Sequence, residues 1–391
     1  IPMEGDFIKI NKWLLPLSWL YGFGVNFRNQ LFELGLLRSR SFDLPVIAVG
    51  NITVGGTGKT PHVEYLIRLL KDHVKVAVLS RGYKRKTHGY VLADDDTTQC
   101  DIGDEPFQMK RKFNDIHVAV DRNRCAGINH LTHDPATSDT DVVLLDDAFQ
   151  HRYVRPGINI LLVDYHRLII YDRLLPAGRL REPLSGKHRA DIVIITKCPK
   201  TLSPINFRVL IKAMDLFPFQ SLYFTTLTYD PLKALYHDEQ LPLDKLKDRH
   251  VLLLTGIASP QQMIHDLQPY TSNIESLAFG DHHSFSRRNQ RTINERFEAL
   301  PEPRIIVTTE KDATRLQNTT DLSEEVKKHL YVLPVRISFM QDQGELFNEK
   351  ILSYVRKNSK NSLLVKRKDD HKSQNSHHSG NGSRTISFRN N

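Results

Sequence analysis

Six short apolar runs recur between Leu44 and Lys197: PVIAVG, VKVAVLS, IHVAVD, DVVLLDD, INILLVD and ADIVIITK. They are rich in β-branched residues and apolar at successive rather than alternate positions, the pattern of strands buried on both faces of a parallel sheet. Stretches with helical spacing, such as HVEYLIRLL, separate them, which predicts an α/β doubly wound domain. From about Ser203 the alternation resumes in SLYFTTLTY, HVLLLTGIA, NIESLAFG and RIIVTTEKD, with a helix near Pro260–Leu267 and another over Ser286–Leu300. That predicts a second, smaller α/β unit, reached through an extended linker near residues 221–235. After Val355 the chain turns to Lys, Asn, Ser, His and Gly, the composition of a disordered tail.

One apolar stretch fits neither unit. Trp13 to Phe27 (WLLPLSWLYGFGVNF) holds no charged residue. As a helix it extends roughly 22 Å, short of a hydrocarbon core of roughly 30 Å. Pro16, Gly22, Gly24 and Asn26 weaken it further as a span, and no small-residue cleavage site marks a secretory signal. Two tryptophans and a tyrosine, flanked by Lys9, Lys12 and Arg28, suit a helix lying in a membrane interface. A helix packed on the body of the protein is the competing reading.

The chemistry concentrates where the first apolar run ends. Val46–Pro61 reads VIAVGNITVGGTGKTP, a strand, a glycine-rich loop and then an amphipathic run, which is the context of a phosphate-binding P-loop. Gly55, Gly56 and Gly58 let backbone N–H groups turn inward around phosphate oxygens, backed by a helix N-terminus. In this reading Thr53, Val54, Gly55, Gly56, Thr57, Gly58, Lys59 and Thr60 bind ATP. Lys59 reaches the β- and γ-phosphates, and the Thr60 hydroxyl meets Mg²⁺. The usual pattern has glycine where Thr53 stands, and an ordinary glycine-rich turn is the plain alternative. Val142–Leu145 followed by Asp146 matches a Walker B strand, whose carboxylate holds Mg²⁺ in P-loop NTPases.

Other polar residues follow the predicted strands, where ligands bind in such sheets. They include Ser80-Arg81-Gly82-Tyr83, Asp121-Arg122 and Asp146-Asp147. Gly103-Asp104-Glu105-Pro106 pairs two carboxylates before a helical run, either as a helix start or as acid–base groups. The loop LLPAGRLREPLSG (Leu174–Gly186) carries or adjoins Arg173, Arg179, Arg181, Lys187 and Arg189. It is either a clamp for an anionic group or a solvated basic loop. In FGDHHSF (Phe279–Phe285), Asp281 and His282 form a turn and cap, or His282 partners a general base.

Charge changes the picture less than the total suggests. The formal net charge is +9, but the segment after Val355 holds nine Lys/Arg against two Asp/Glu, leaving +2 for residues 1–355. A near-neutral body argues against a nucleic-acid-binding face spread over the fold. Cys100, Cys125 and Cys198 have no metal-like or CxxC spacing and read as free thiols of a reducing compartment. The 18 histidines show no zinc-ligand spacing.

Taken together, VGNITVGGTGKTP, SRGYKR, GDEP, VDRNR, LLDDAFQH, LLPAGRLREP, TGIASP, FGDHHSF and TEKDA resemble, in order, the tetraacyldisaccharide 4′-kinases of lipid A biosynthesis in Gram-negative bacteria. The resemblance covers about residues 10–340, and threonine in the first P-loop position is typical of that family. It implies a P-loop α/β/α core, a smaller α/β/α unit joined by a two-stranded linker, and an N-terminal membrane-associated helix. The corresponding map is 1–40 for the membrane-interface helix, 41–220 for the kinase core, 221–355 for linker and smaller unit, and 356–391 for the basic tail.

The implied reaction moves the γ-phosphate of ATP to the 4′-hydroxyl of tetraacyldisaccharide 1-phosphate, giving lipid IVA. The resemblance assigns catalysis to Asp104 as base, paired with His282, and to Lys59 and Asp147. Thr60, Glu105 and Asp146 fall in the metal region, and Gln150, His151, Arg181 and Glu182 line the site. A monomer at the cytoplasmic face of the inner membrane, with a lipid-linked substrate and no nucleic-acid partner, completes the expectation. A P-loop NTPase driving a metallochaperone or protein-targeting cycle, or a nucleotide-sensing scaffold without catalysis, would share the P-loop and Walker B but need neither the interfacial helix nor the LLPAGRLREP loop.

Overall fold

The computed structural model describes residues 8, 10–257, 260–280, 283–317 and 319–359. The six early apolar runs become strands of one sheet: β1 (Val46–Gly50), β2 (Val76–Ser80), β3 (Val91–Leu92), β4 (His117–Val120), β5 (Val142–Asp146), β6 (Ile158–Asp164) and β7 (Ile192–Thr196), with the two-residue β3 added. β8 (Ser221–Tyr229) joins the same sheet. Next come β9 (Leu232–Ala234), β10 (Gln240–Leu241), β11 (His250–Thr255), β12 (Ile274–Ala278), β13 (Arg304–Thr309), β14 (Leu330–Leu333) and β15 (Val335–Phe339). The larger sheet runs β15-β8-β7-β6-β1-β5-β2-β4-β3 and the smaller one β10-β9-β14-β13-β11-β12.

From β4 to β8 the larger sheet is parallel, with β3 and β15 as antiparallel edges. Every residue of β1, β2, β5 and β7 is buried. This is what unbroken apolar runs require, because helices cover both faces.

The helices are α1 (Leu15–Glu33), α2 (Lys59–Leu70), α3 (Gln99–Ile102), α4 (Asp104–Lys112), α5 (Arg124–His133), α6 (Pro204–Met214), α7 (Gln261–Leu267), α8 (Arg287–Glu298), α9 (Glu310–Leu316), α10 (Glu324–Lys328) and α11 (Gly344–Asn358). Three features position the site. β5 inserts beside β1 with Val49 opposite Asp146, so the P-loop and the Walker B carboxylate leave the sheet side by side. The chain leaves the larger sheet after β8 and re-enters it at β15, and these strands pair antiparallel from Val335↔Tyr229 to Phe339↔Thr225. Finally, α11 returns to the larger core. Phe347, Ile351 and Val355 pack there with Tyr223, and Tyr65 of α2 donates to Asn348 Oδ1 at 2.8 Å. Arg356–Asn358 complete α11, and residues 360–391 lie outside the described residues.

α1 meets the body on one side and solvent on the other. Its Ser18 hydroxyl donates to the Leu174 carbonyl (2.9 Å) and accepts from the Ala177 N–H (2.9 Å), while the Tyr21 hydroxyl donates to the Arg181 carbonyl (2.8 Å). Trp13, Trp19, Leu20 and Phe23 are 93%, 74%, 70% and 72% exposed. The stretch is therefore packed on the body by one face, and its other face leaves large apolar side chains exposed. No helix among the described residues is long and apolar enough to cross a membrane.

Candidate active site

The loop after β1 is held by its carbonyls. Gly58, at φ +80°, supplies the left-handed turn that starts α2 at Lys59. The segment after β6 lies against the loop's outside: the Val54 N–H donates to Arg179 O (2.8 Å), the Arg181 N–H to Ile52 O (2.7 Å), and Arg181 Nε to Thr53 O (3.0 Å). The Thr196 hydroxyl donates to Thr57 O (3.0 Å), and Lys197 reaches Gly56 O and the Asp164 carboxylate (2.7 Å). His62 Nδ1 lies 2.7 Å from Gly58 O and Nε2 lies 3.0 Å from Thr225 Oγ1. A carbonyl only accepts, so Nδ1 carries the proton and Nε2 accepts from the threonine. Among the described residues no protein acceptor is bonded to the N–H groups of Gly55, Gly56, Thr57 or Gly58. That is the arrangement an anion-binding loop needs.

The acidic side follows from β5. Asp146 is buried, and its Oδ2 accepts from the Ser80 hydroxyl at 3.1 Å. Burial, reinforced by the neighbouring Asp147 and by Glu105, pushes its carboxyl up to about 6 against the pull of Lys59. Its Oδ1 is buried without a hydrogen-bond partner among the described residues. Asp147 adopts φ +47°, which turns its carboxylate toward Lys59 (3.6 Å) and Arg181 (3.3 Å). Burial opposes ionisation of Asp147, but Lys59 and Arg181 outweigh it and hold the carboxyl below its ordinary range. Behind them the buried Arg124 donates to the carbonyls of Asp121 (3.0 Å) and Asp146 (3.2 Å), and burial lowers its pKa to about 10.

This donor set fits Mg²⁺. Among the described residues no three His, Cys, Asp or Glu side chains converge as a protein-only metal cage. Mg²⁺ is instead typically bound by one or two carboxylates together with waters and substrate phosphates. The orphaned Asp146 Oδ1 is the oxygen such an ion would use, and Thr60, second residue of α2, starts the same helix as Lys59.

The paired carboxylates after Gly103 start α4. Gly103 has φ +93°, and a Cβ there would lie 2.8 Å from Tyr83 O, so only glycine allows this approach. Asp104 accepts from Gln99 and from Arg315 of α9, and Glu105 pairs with Lys311 of α9 at 3.2 Å. At the far end of α4, Lys112 bridges Glu64 of α2 (2.6 Å) and Glu310 of α9. α4 is thereby clamped between the P-loop helix and the second unit. Glu105 adds to the upward push on the Asp146 carboxyl, which puts the GDEP turn within electrostatic reach of the Lys59–Asp146–Asp147 group. Asp281 and His282 lie outside the described residues. Their neighbour His283 stacks on Phe279 (4.8 Å), and Ser286 caps α8 through Asn289.

Two cations of the basic loop after β6 are engaged within the protein. Lys187 is buried and donates to the carbonyls of Met214 (2.6 Å) and Asp215 (2.9 Å), and Arg189 pairs with the buried Glu182 (2.7 Å). Arg173 and Arg179 are exposed, which leaves Arg181 as the cation on the P-loop. Gln150 donates to the Asn51 carbonyl. The His151 ring is pushed down to about 4 by burial and by Arg124, Arg28 and Arg81. Sequence reasoning missed Asn51, Lys197, Lys311 and Arg315. Lys197 carried a signal, since it follows the run ADIVIIT at a strand's carboxyl end; Arg315 carried none.

Comparison with known proteins supplies the remaining finding. Residues 10–356 match the family model described as tetraacyldisaccharide-1-P 4′-kinase. The chain is 61% identical to the tetraacyldisaccharide 4′-kinase of Phocaeicola vulgatus, over 92% of this chain and 99% of that protein. It is 52% identical to that of Bacteroides thetaiotaomicron, over 95% and 100%. The crystal structure of LpxK from Aquifex aeolicus in complex with ATP matches with a TM-score of 0.67 at 30% identity, covering 88% of this chain and 98% of that one.

Proposed function

The chain belongs to the tetraacyldisaccharide-1-phosphate 4′-kinase family and is an ATP-dependent lipid A 4′-kinase, and we propose that Asp104 accepts the proton of the 4′-hydroxyl as the γ-phosphate arrives. In this reading the acceptor is tetraacyldisaccharide 1-phosphate and the product lipid IVA. The metallochaperone and scaffold alternatives fall with the family assignment.

The observation that supports the site reading is the nearness of the GDEP turn to the P-loop group of Lys59, Asp146 and Asp147, felt as the push of Glu105 on the Asp146 carboxyl. Backbone N–H groups of Gly55 to Gly58 would cradle the phosphates, the Val54 N–H being taken by Arg179 O, and Lys59 would lie along the β- and γ-oxygens. Thr60, Asp146 and Glu105 would hold Mg²⁺, which neutralises phosphate charge when bound. Asp147 keeps Lys59 and Arg181 aimed at the transferring group. Phosphoryl transfer through a loose transition state demands positioning and charge neutralisation more than covalent chemistry. A sugar hydroxyl has a high pKa, so the Asp104 carboxylate takes its proton only as the new P–O bond forms. His282 would orient that carboxylate, and Gln150, His151 and Glu182 would shape the wall behind it.

We further propose that the protein works as a monomer at the cytoplasmic face of the inner membrane, with α1 lying in the interface. The exposed Trp13, Trp19, Leu20 and Phe23 support this, as does an apolar cleft of ≈ 480 Å³ between α1 and Leu174–Leu184. A four-chain lipid leaves a bilayer only at high cost, so the enzyme must come to it.

The test is incubation of purified protein with ATP, Mg²⁺ and the disaccharide 1-phosphate lipid in detergent. The expected result is a mass gain of one phosphate. Asp104→Ala and His282→Ala should each lower kcat by about 10²–10⁴ while ATP affinity stays within a few-fold. Parallel loss of ATP binding would contradict the base assignment.

A further inference from the structure

Arg315 lies outside every motif that marks the site. It stands one turn after Lys311 on α9, and this spacing places both cations on one face of that helix. They meet successive carboxylates of α4: Lys311 meets Glu105 and Arg315 meets Asp104. The Arg315 guanidinium is forked. Nη2 donates to Asp104 Oδ2, and Nη1 donates to Asp312 Oδ1 at 3.2 Å. The Arg315, Asp104 and Asp312 side chains are 7%, 13% and 0% exposed, so the link is shielded from solvent. Asp312 is itself fixed. Its Oδ2 accepts from the Gly256 N–H (2.8 Å) at the end of β11 and from the Thr309 hydroxyl (2.7 Å) at the end of β13. A continuous chain of hydrogen bonds therefore runs from the carboxyl edge of the smaller sheet, through Asp312 and Arg315, to Asp104 in the larger unit. Gln99 holds the other oxygen of Asp104.

We propose that Arg315 is a positioning residue for phosphoryl transfer, tying the Asp104 carboxylate to Asp312 so that the base takes its working orientation only when the two units are together. The proposal rests on Asp104 being the proton acceptor. Two physical points favour it over a plain interdomain ion pair. A planar guanidinium can serve two carboxylates at once in fixed geometry, which an ammonium does less well. Because its charge is shared between Asp104 and Asp312, it orients the base without neutralising it outright.

The test is a double-mutant cycle on kcat with ATP and the disaccharide 1-phosphate lipid, using Arg315→Gln, Arg315→Lys, Asp104→Asn and the Arg315→Gln/Asp104→Asn pair. Arg315→Gln is expected to lower kcat about 30-fold or more with ATP KM within about twofold, and Arg315→Lys to recover part of the loss. In the Asp104→Asn background, Arg315→Gln should cost less than about threefold more, because its target is already gone. Losses that multiply, or an Arg315→Gln enzyme within about threefold of wild type, would overturn the positioning role while leaving Asp104 as base. An Asp104→Asn enzyme of near wild-type rate would overturn both readings. Should Arg315→Gln not fold, Asp312→Asn carries the same cycle, with an expected loss of about 5–10-fold that disappears in the Asp104→Asn background.

Discussion

His62 shows how a single ring can brace a nucleotide loop. Bonded to Gly58 O and Thr225 Oγ1 and buried, it stays neutral, and burial pushes its pKa from 6.5 down to about 4. The unfolded chain takes up a proton below pH 6.5 while the folded protein waits until about pH 4. Stability should therefore fall as pH drops through that window and be unaffected above it. The loss is about 2 kcal/mol between pH 7 and pH 5, and it should vanish from urea midpoints of His62→Gln. Asp146 presents the opposite case: a buried carboxylate beside Asp147, whose ionised form is opposed by burial and by its neighbour. Asp146→Asn should raise the stability of metal-free protein by on the order of 1 kcal/mol while severely lowering kcat, as read by thermal melting and phosphate transfer. Both aspartates were legible because a strand and its terminal carboxylate are contiguous in sequence. His62 was not, since its partner Thr225 is 163 residues away.

Among the elements, α11 carries an effect disproportionate to its distance from the nucleotide. Phe347 is 2% exposed and stands among Tyr65, Tyr223 and Phe339, with ring centroids 4.5–6.1 Å apart. Phe347→Ala should lower unfolding free energy by about 3–5 kcal/mol. It should also weaken ATP binding, because Tyr65 lies on the P-loop helix; denaturant titration and a fluorescent nucleotide check the two effects. The strands buried on both faces, such as β1, β2, β5, β7, β11 and β13, were readable from unbroken apolar runs, whereas β3, β9, β10, β14 and β15 were not read from the sequence. The return of α11 to the first sheet was not readable, because an amphipathic helix does not announce which core it covers. The same limit hid the contact of α4 with α9, which depends on Lys112, Lys311 and Arg315 meeting acids far away in sequence.

For the molecule as a whole, the proposed seat against lipid rests on the exposed apolar face of α1 and the cleft beside it. Trp19→Glu with Phe23→Glu should abolish co-sedimentation with vesicles containing anionic lipid, yet leave folding intact because both side chains are exposed. Unchanged partition would remove α1 from the interface. The exposed apolar face of this segment was visible as a charge-free, tryptophan-bearing run, whereas its second face, turned to Leu174 and Ala177, depended on a loop 156 to 159 residues on. The route of the chain between the sheets has a consequence of its own. Both passages, at Asp230 and Pro334, lie side by side and are bonded to each other (3.2 Å), so the smaller unit is bound to the larger as a page is to its spine. Any turn of the smaller unit against the larger would pivot at that edge and would carry the cations on α9 onto or off the acids of α4.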